Sequence, residues 1–135
     1  MKSKKNQNQA YDWSFANNFT YNAAGAVTSM KLGNGAWEST VFNSRLQPTQ
    51  IALGTTQGGT GLLDLDYEYG STASVNNGNV TKQTITVPTV GSNPGFAAVQ
   101  NYTYDSLNRL SSADEKPLNW SQTNCDSDRL GFHLE

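Results

Sequence analysis

Apolar and polar residues alternate along most of this chain, and the alternation breaks at clusters of Asn, Gly, Ser, Pro and Asp. The cleanest run is residues 63–69, L-D-L-D-Y-E-Y. Leu63, Leu65, Tyr67 and Tyr69 face one way and Asp64, Asp66 and Glu68 the other, as successive side chains of a strand do. That predicts a strand with one packed and one solvated face. Shorter runs predict strands at residues 11–15, 19–21, 27–32, 36–42 (Trp37 and Val41 on one face), 46–53, 80–87 and 102–104. Pro48 removes a ladder donor, so the 46–53 strand lies at an edge or begins after Pro48. Asn34-Gly35 predicts a type I′ hairpin turn, because both residues tolerate positive φ. Residues 54–61 (G-T-T-Q-G-G-T-G) predict a flexible loop, and residues 70–79 and 88–95 two more. Residues 96–100 fit a helical turn but are too few for periodicity to decide, and residues 118–123 fit one further strand. The expected fold class is all-β, with antiparallel hairpins in a twisted, open sheet. Residues 1–10 are expected to be a disordered, polar and basic N-terminus, residues 11–123 the hairpin array, and residues 124–135 an irregular tail.

The best-formed hairpin is written in residues 102–115, Y-T-Y-D-S-L-N-R-L-S-S-A-D-E. Tyr102 and Tyr104 share a face, Asp105, Ser106 and Asn108 are turn formers, and Arg109 and Leu110 begin the return strand. Residues 19–32 are a weaker copy. Phe19-Thr20-Tyr21-Asn22 matches Tyr102-Thr103-Tyr104-Asp105, Gly25 stands where Asn108 stands, and Val27 where Leu110 stands. Phe42-Asn43-Ser44-Arg45-Leu46 is a partial copy, read as having a shorter turn. Tyr67-Glu68-Tyr69 is another, its return strand delayed to Gly78-Asn79-Val80. The aromatic starts at positions 21, 42, 69 and 104 are spaced by 21, 27 and 35 residues, a period that drifts as loops are inserted. Repeats of this size imply stacked units, none of which buries its apolar face alone.

The unit Y-x-Y-D-x-x-N-R-L, with its relaxed form Y-N-x-x-G-x-V, resembles the YD repeat of RHS and teneurin-type proteins. The signature residues are Phe19, Tyr21, Gly25, Tyr67, Tyr69, Tyr102, Tyr104, Asp105, Asn108, Arg109 and Leu110. Ser44-Arg45-Leu46-Gln47-Pro48 and Leu65–Tyr69 followed by Asn77–Val80 also resemble bacterial RHS segments, so the likeness spans roughly residues 19–115. The resemblance implies hairpins wound as a spiral sheet into a large hollow shell. In bacterial members such a shell encloses a C-terminal toxic domain; other members are surface, wall-associated or adhesive proteins. It therefore implies a secreted or cell-surface setting, with neighbouring YD-repeat hairpins as partners. Two features depart from the pattern. A shell needs many more repeats, and the region of aspartate-dependent self-cleavage before the toxin has no counterpart. Asp128-Arg129-Leu130-Gly131 resembles the D-R-x-G of a further repeat but lacks the aromatic lead. The expectation is a fragment or a truncated gene product.

Composition fits this picture. Hydrophobic residues are 36% and charged residues 15%, the remainder being rich in Asn, Gln, Ser, Thr and 12 Gly. That balance suits neither a coiled coil nor a charged disordered tail. Net charge is −2, but beyond residue 10 six Lys and Arg face eleven Asp and Glu, a balance of −5. Such a surface repels phosphate backbones, so nucleic acid is not an expected partner. Cys125 is the one cysteine, so an internal disulfide is excluded. The N-terminal lysines are followed by polar residues, with no apolar segment of a signal peptide, and no run approaches the ~18 apolar residues of a membrane span.

Candidate chemistry is sparse. Cys125 and His133 are eight residues apart, and the bland reading is a free thiol and a tail imidazole; two such ligands do not close a zinc site. Asp64, Asp66 and Glu68 look like the start of a calcium loop, but the sixth and twelfth positions hold Tyr69 and Val75 where Gly and Glu are needed. A solvated strand face explains them better. No paired carboxylates with a defined cleft are visible, and the 54–61 glycine loop lacks the G-K-[ST] ending of a phosphate loop. Four N-x-[ST] sequons, at Asn18, Asn79, Asn101 and Asn119, matter only in a secretory host. Tyr67, Tyr69, Tyr102, Tyr104, Trp37 and Trp120 could stack on sugar rings, against the simpler reading that they form the apolar face of the sheet. The expectation is a non-enzyme with no catalytic, cofactor or metal residues. It is a structural segment that adds to neighbouring hairpins or self-associates through sheet edges. The alternative is a surface module binding glycans or a protein through exposed aromatics.

Overall fold

The computed structural model describes residues 14–70, 72 and 74–118, together with the backbone of residues 132–133. Every regular element among them is a β-strand: β1 (Ala16–Tyr21), β2 (Val27–Leu32), β3 (Trp37–Phe42), β4 (Pro48–Gly54), β5 (Leu63–Glu68), β6 (Lys82–Val87), β7 (Phe96–Tyr104), β8 (Leu110–Pro117) and β9 (Phe132–His133). All pairings are antiparallel and join strands adjacent in sequence. The all-β hairpin expectation therefore holds. The chain divides into two compact units, Met1–Leu63 and Asp64–Glu135.

In the first unit, β1 to β4 pair in order. A cross-strand row of small residues runs Thr20, Ser29, Ser39, Ala52. The glycine-rich segment after β4 lies down on this row. Gln57 Nε2 donates to Ser29 Oγ at 2.8 Å, and the Gly58 amide donates to Ser39 Oγ at 2.9 Å. Only glycine fits at Gly54, where a Cβ would sit 2.4 Å from the Gly59 carbonyl oxygen. The segment expected to be a flexible loop is thus strapped to the sheet, because small residues leave it room and their hydroxyls give it partners. Ser29 and Ala52 are buried beneath it, at 4% and 2% exposure.

In the second unit, β5 to β8 pair in order and β9 adds to β8. The alternation read from residues 63–69 carries across the strands. Leu65, Ile85, Ala98 and Pro117 form one row, and Tyr67, Gln83, Gln100 and Glu115 the next on the same face. The opposite face carries the row Glu68, Lys82, Asn101, Asp114. No large side chain among the described residues is fully buried; the buried apolar residues are Ala36, Ala52, Ala97 and Ala98. Among the described residues of the second unit, no large apolar side chain is fully buried against the sheet. Cross-strand rows, worth roughly 0.2–1 kcal/mol per pair, take the place of a packed core.

Several expectations are corrected. Residues 96–100 are not a helical turn; they open β7, whose full ladder with β6 fixes them as extended. Asn34-Gly35 is not a type I′ turn. Only Gly35 has positive φ (88°), and the turn is closed from Leu32 to Ala36 by Leu32 N–H···O Ala36 (2.8 Å) and Gly35 N–H···O Leu32 (2.9 Å). The 46–53 strand begins at Pro48, whose missing donor is harmless at a first position. Phe132–His133 pairs with Ser112 and Ala113 inside the segment expected to be irregular. The strand expected at residues 11–15 lies mostly outside the described residues, and Phe15 precedes β1. Residues 1–10, Cys125, Trp120, residues 119–123 and residues 128–131 also lie outside them.

Candidate functional site

The element that recurs is a turn: the Leu32–Ala36 corner has the same main-chain frame, and three further copies, each opening on Asn or Asp, can be laid side by side. The first starts at Asn22, the second at Asn43, the third at Asp105. In each, the amide of the first residue donates to the carbonyl of the fifth, at 2.9, 3.0 and 2.9 Å for Asn22–Ala26, Asn43–Gln47 and Asp105–Arg109. In each, the amide of the fourth residue donates to the carbonyl of the first, at 3.0 Å for Gly25, Leu46 and Asn108 alike. The fourth residue is left-handed every time: Gly25 at φ 83°, Leu46 at 62°, Asn108 at 60°. The partial copy at Phe42 therefore does not have a shorter turn. Its frame has the same five residues, with Leu46 in the left-handed slot and Pro48 opposite Phe42.

A side-chain oxygen at the first position locks the frame. Asn22 Oδ1 accepts from the amides of Ala24 and Ala26, both at 3.0 Å. Asn43 Oδ1 accepts from Arg45 (2.9 Å) and Gln47 (3.1 Å). Asp105 Oδ1 accepts from Leu107 (2.8 Å) and Arg109 (2.9 Å). This is why Asn and Asp, and not merely polar residues, stand there: the carbonyl reaches two amides of its own turn. The remaining side-chain atom finds the fifth residue. Asp105 Oδ2 accepts from Arg109 Nε at 2.7 Å, and Asn43 Nδ2 donates to Gln47 Oε1 at 2.7 Å. The backbone amide of Arg109 first, and its side chain second, hold the Asp105 carboxyl below the usual carboxylate range.

Two hydroxyl clusters repeat as well. Thr20 Oγ1 lies 2.8 Å from Thr28 Oγ1 and 2.7 Å from Ser29 Oγ. Thr103 Oγ1 lies 2.8 Å from Ser111 Oγ and 2.6 Å from Ser112 Oγ. Measured from Asn22 and Asp105, these are the same positions, and both sit where the ladder shifts register. Sequence reading matched Thr20 to Thr103 but missed their partners; the shared hydroxyls at Thr28-Ser29 and Ser111-Ser112 were the available signal. In the second copy Val41 stands at the threonine position, and Thr49 Oγ1 turns to the Val41 carbonyl instead, at 3.4 Å.

The signature aromatics divide by environment. Phe19 and Tyr21 are exposed and stack on each other, centroids 6.5 Å apart and planes at 21°. Tyr67, Tyr69, Tyr102 and Tyr104 are half-buried. Tyr104 donates to the Val80 carbonyl at 2.8 Å. Tyr102 donates to Gln100 Oε1 at 2.6 Å and lies 3.2 Å from Gln83 Oε1; Gln83 Nε2 donates to Tyr67 Oη at 3.3 Å, and Gln100 Nε2 to Glu115 Oε2 at 2.5 Å. Burial, with the neighbouring phenol Tyr67, raises the Tyr69 pKa; burial, then Tyr104, Tyr67 and Glu115, raises that of Tyr102. Both hydroxyls stay protonated at neutral pH. Leu110 is exposed beside Tyr104 across the ladder.

The delayed return after Tyr69 also ends on the third turn. Asn108 Oδ1 accepts from Asn77 Nδ2 (3.0 Å) and Asn79 Nδ2 (3.1 Å). Asn108 thus holds the left-handed slot and docks the loop between β5 and β6, which reaches it because odd-to-even connections share one end of this unit.

The acidic run stands on β5. Glu68 pairs with Lys82 Nζ across the strand at 2.8 Å. Burial first, then Asp64 and Glu68, raise the Asp66 pKa against the opposing pull of Lys82. Among the described residues no three His, Cys, Asp or Glu side chains cluster to hold a metal ion, and no helix is long and apolar enough to cross a membrane. What the arrangement does chemically is fix hairpin geometry.

No family model matches the chain, and no curated protein matches it. Eight solved chains match its fold. One belongs to the structure of the Photorhabdus luminescens Tc holotoxin pore, at 16% identity and a TM-score of 0.47, with 80% of this chain covered. This chain spans 7% of the length of that one. The described residues are an antiparallel hairpin array built on the Y-x-Y-D-x-x-N-R-L turn and its relaxed copies.

Proposed function

We propose that this chain is a non-catalytic structural segment of an RHS/YD-repeat protein, whose hairpins contribute to a β-shell that scaffolds or encloses a toxin domain. The observation that carries the reading is the recurrence of one side-chain-locked turn at Asn22, Asn43 and Asp105. A function at a single site needs one such constellation; a wall needs the same corner again and again. Large apolar side chains such as Phe19, Tyr21 and Val41 remain exposed, which supports it because they call for neighbouring hairpins. The aromatics offered as a sugar platform are engaged differently: Tyr102 and Tyr104 spend their hydroxyls inside the sheet. The family resemblance further suggests a secreted or surface setting.

The test is sedimentation of the 135-residue chain over a concentration series, with binding of a hydrophobic dye. A wall segment associates as concentration rises and binds the dye. A monodisperse monomer that binds none refutes the reading. Change in tryptophan fluorescence across a glycan panel would favour the adhesive alternative. Hydrolysis of model esters or glycosides that is lost in Asp66→Asn or Cys125→Ser would make the chain an enzyme.

A further inference from the structure

The chain carries two Asn-Gly dipeptides, Asn34-Gly35 and Asn77-Gly78, and their settings differ. We infer that Asn77 is a site of spontaneous deamidation whose conversion releases the β5–β6 loop from the signature turn, while Asn34 is protected. Asparagine is a thermolabile side chain, and a following glycine leaves its own amide unobstructed.

The reaction is intramolecular. The Gly78 main-chain nitrogen gives up its proton to solvent base and forms a bond to Asn77 Cγ. The Cγ–Nδ2 bond breaks and ammonia leaves with a proton from water. Water then opens the cyclic imide at either carbonyl, giving aspartate or isoaspartate.

The attacking nitrogen must be free to move onto the side chain. At Asn34 it is not: Gly35 N–H is bound to the Leu32 carbonyl at 2.9 Å, within a frame also closed by Leu32 N–H···O Ala36 at 2.8 Å. Attack there requires opening the hairpin turn. Gly78 N–H is instead held by a side chain, Asn76 Oδ1 at 2.9 Å, and Asn77 Oδ1 accepts from the Asn79 amide at 3.1 Å. Side-chain bonds of this kind are worth only about 1 kcal/mol each and break without disturbing a ladder. Asn77 and Gly78 are both exposed, and a Cβ at Gly78 would meet nothing within 4 Å.

The product changes one contact in kind. Asn77 Nδ2 is a donor to Asn108 Oδ1 at 3.0 Å. The carboxylate that replaces the amide has no hydrogen to give, so two acceptors face each other. Asn79 Nδ2 remains as the single amide on Asn108. Isoaspartate adds a methylene to the main chain and moves the carboxylate further from its partner.

The experiment ages the full chain in mildly alkaline buffer and maps isoaspartate and aspartate by peptide mass spectrometry, alongside hydrogen exchange of residues 76–81. Asn77 is expected to convert severalfold faster than Asn34. Exchange at residues 79–81 rises with conversion, in fresh Asn77→Asp, and in fresh Asn108→Gly, which keeps the left-handed slot but removes the acceptor. Conversion of Asn34 at an equal or higher rate overturns the inference. So does a fully converted Asn77, or an Asn77→Asp chain, whose exchange at residues 79–81 matches that of the fresh protein.

Discussion

Replacing Asn22 by alanine isolates what the side-chain lock contributes. Asn22 Oδ1 accepts two amides at 3.0 Å, that of Ala24, which is exposed, and that of Ala26, which is half-buried. Water replaces the first bond readily, so its loss costs a few tenths of a kcal/mol; the second leaves a partly shielded donor, costing about 1 kcal/mol. The sum, roughly 1–2 kcal/mol, matches the cost of removing an Asn from a helix N-cap, where an oxygen does the same task. The main-chain frame from Asn22 to Ala26 survives in outline, because its own bonds do not involve the side chain. Urea unfolding followed by circular dichroism should therefore show a lower midpoint with an unchanged slope. Asn22→Asp keeps the acceptor and should fall within about 0.5 kcal/mol of the parent. If Asn22→Ala is as stable as the parent, or Asn22→Asp falls as far as alanine, the lock is incidental and the repeated turn loses its physical basis.

Gly25→Ala should destabilise the same hairpin by about 1–2 kcal/mol, purely through the left-handed main chain at φ 83°, since a Cβ there meets nothing within 4 Å; thermal melts of the single variant read it out. The Asp105 carboxyl lies below its ordinary range because amide and guanidinium donors bind its charged form. A depressed folded pKa contributes stability that is present above the unfolded value near 3.9 and lost as pH falls through the folded value. Acid titration of exchange at Leu107 and Arg109 should show that loss, and Asp105→Asn should abolish the dependence. Gln57→Ala removes the bond to buried Ser29, so exchange at the Gly58 amide should rise by roughly tenfold, about the 1.4 kcal/mol equivalent of one lost anchor.

Strand positions were legible because alternation has only one geometric solution once a turn former bounds it. Residues 27–32 became β2 with no change of bounds, and residues 63–69 became β5 with one residue trimmed. The equivalences Gly25 with Asn108 and Val27 with Leu110 hold in register, since Val27 faces Tyr21 as Leu110 faces Tyr104. What could not be read was how turns close. Asn34-Gly35 reads as a type I′ turn, but the corner closes from Leu32 to Ala36 with only Gly35 at positive φ. Leu46 gives no hint that it adopts φ 62°, which the main-chain frame and the Asn43 side chain hold together. The strapped glycine segment was equally hidden, because it depends on Ser29 and Ser39 lying side by side, 10 residues apart in sequence. The docking role of Asn108 required contacts 29 and 31 residues away.

The five-residue frame has an evolutionary consequence. It places position 21 opposite 27, 42 opposite 48 and 104 opposite 110, always the same offset. Register is therefore encoded inside the corner and owes nothing to the connections between hairpins. Those connections can lengthen cheaply, each doubling of a flexible loop costing about 0.6 kcal/mol. A gene built from such corners tolerates insertions, duplications and recombination between hairpins without a slip of strands. The drifting spacing of the aromatic starts is what that tolerance leaves behind.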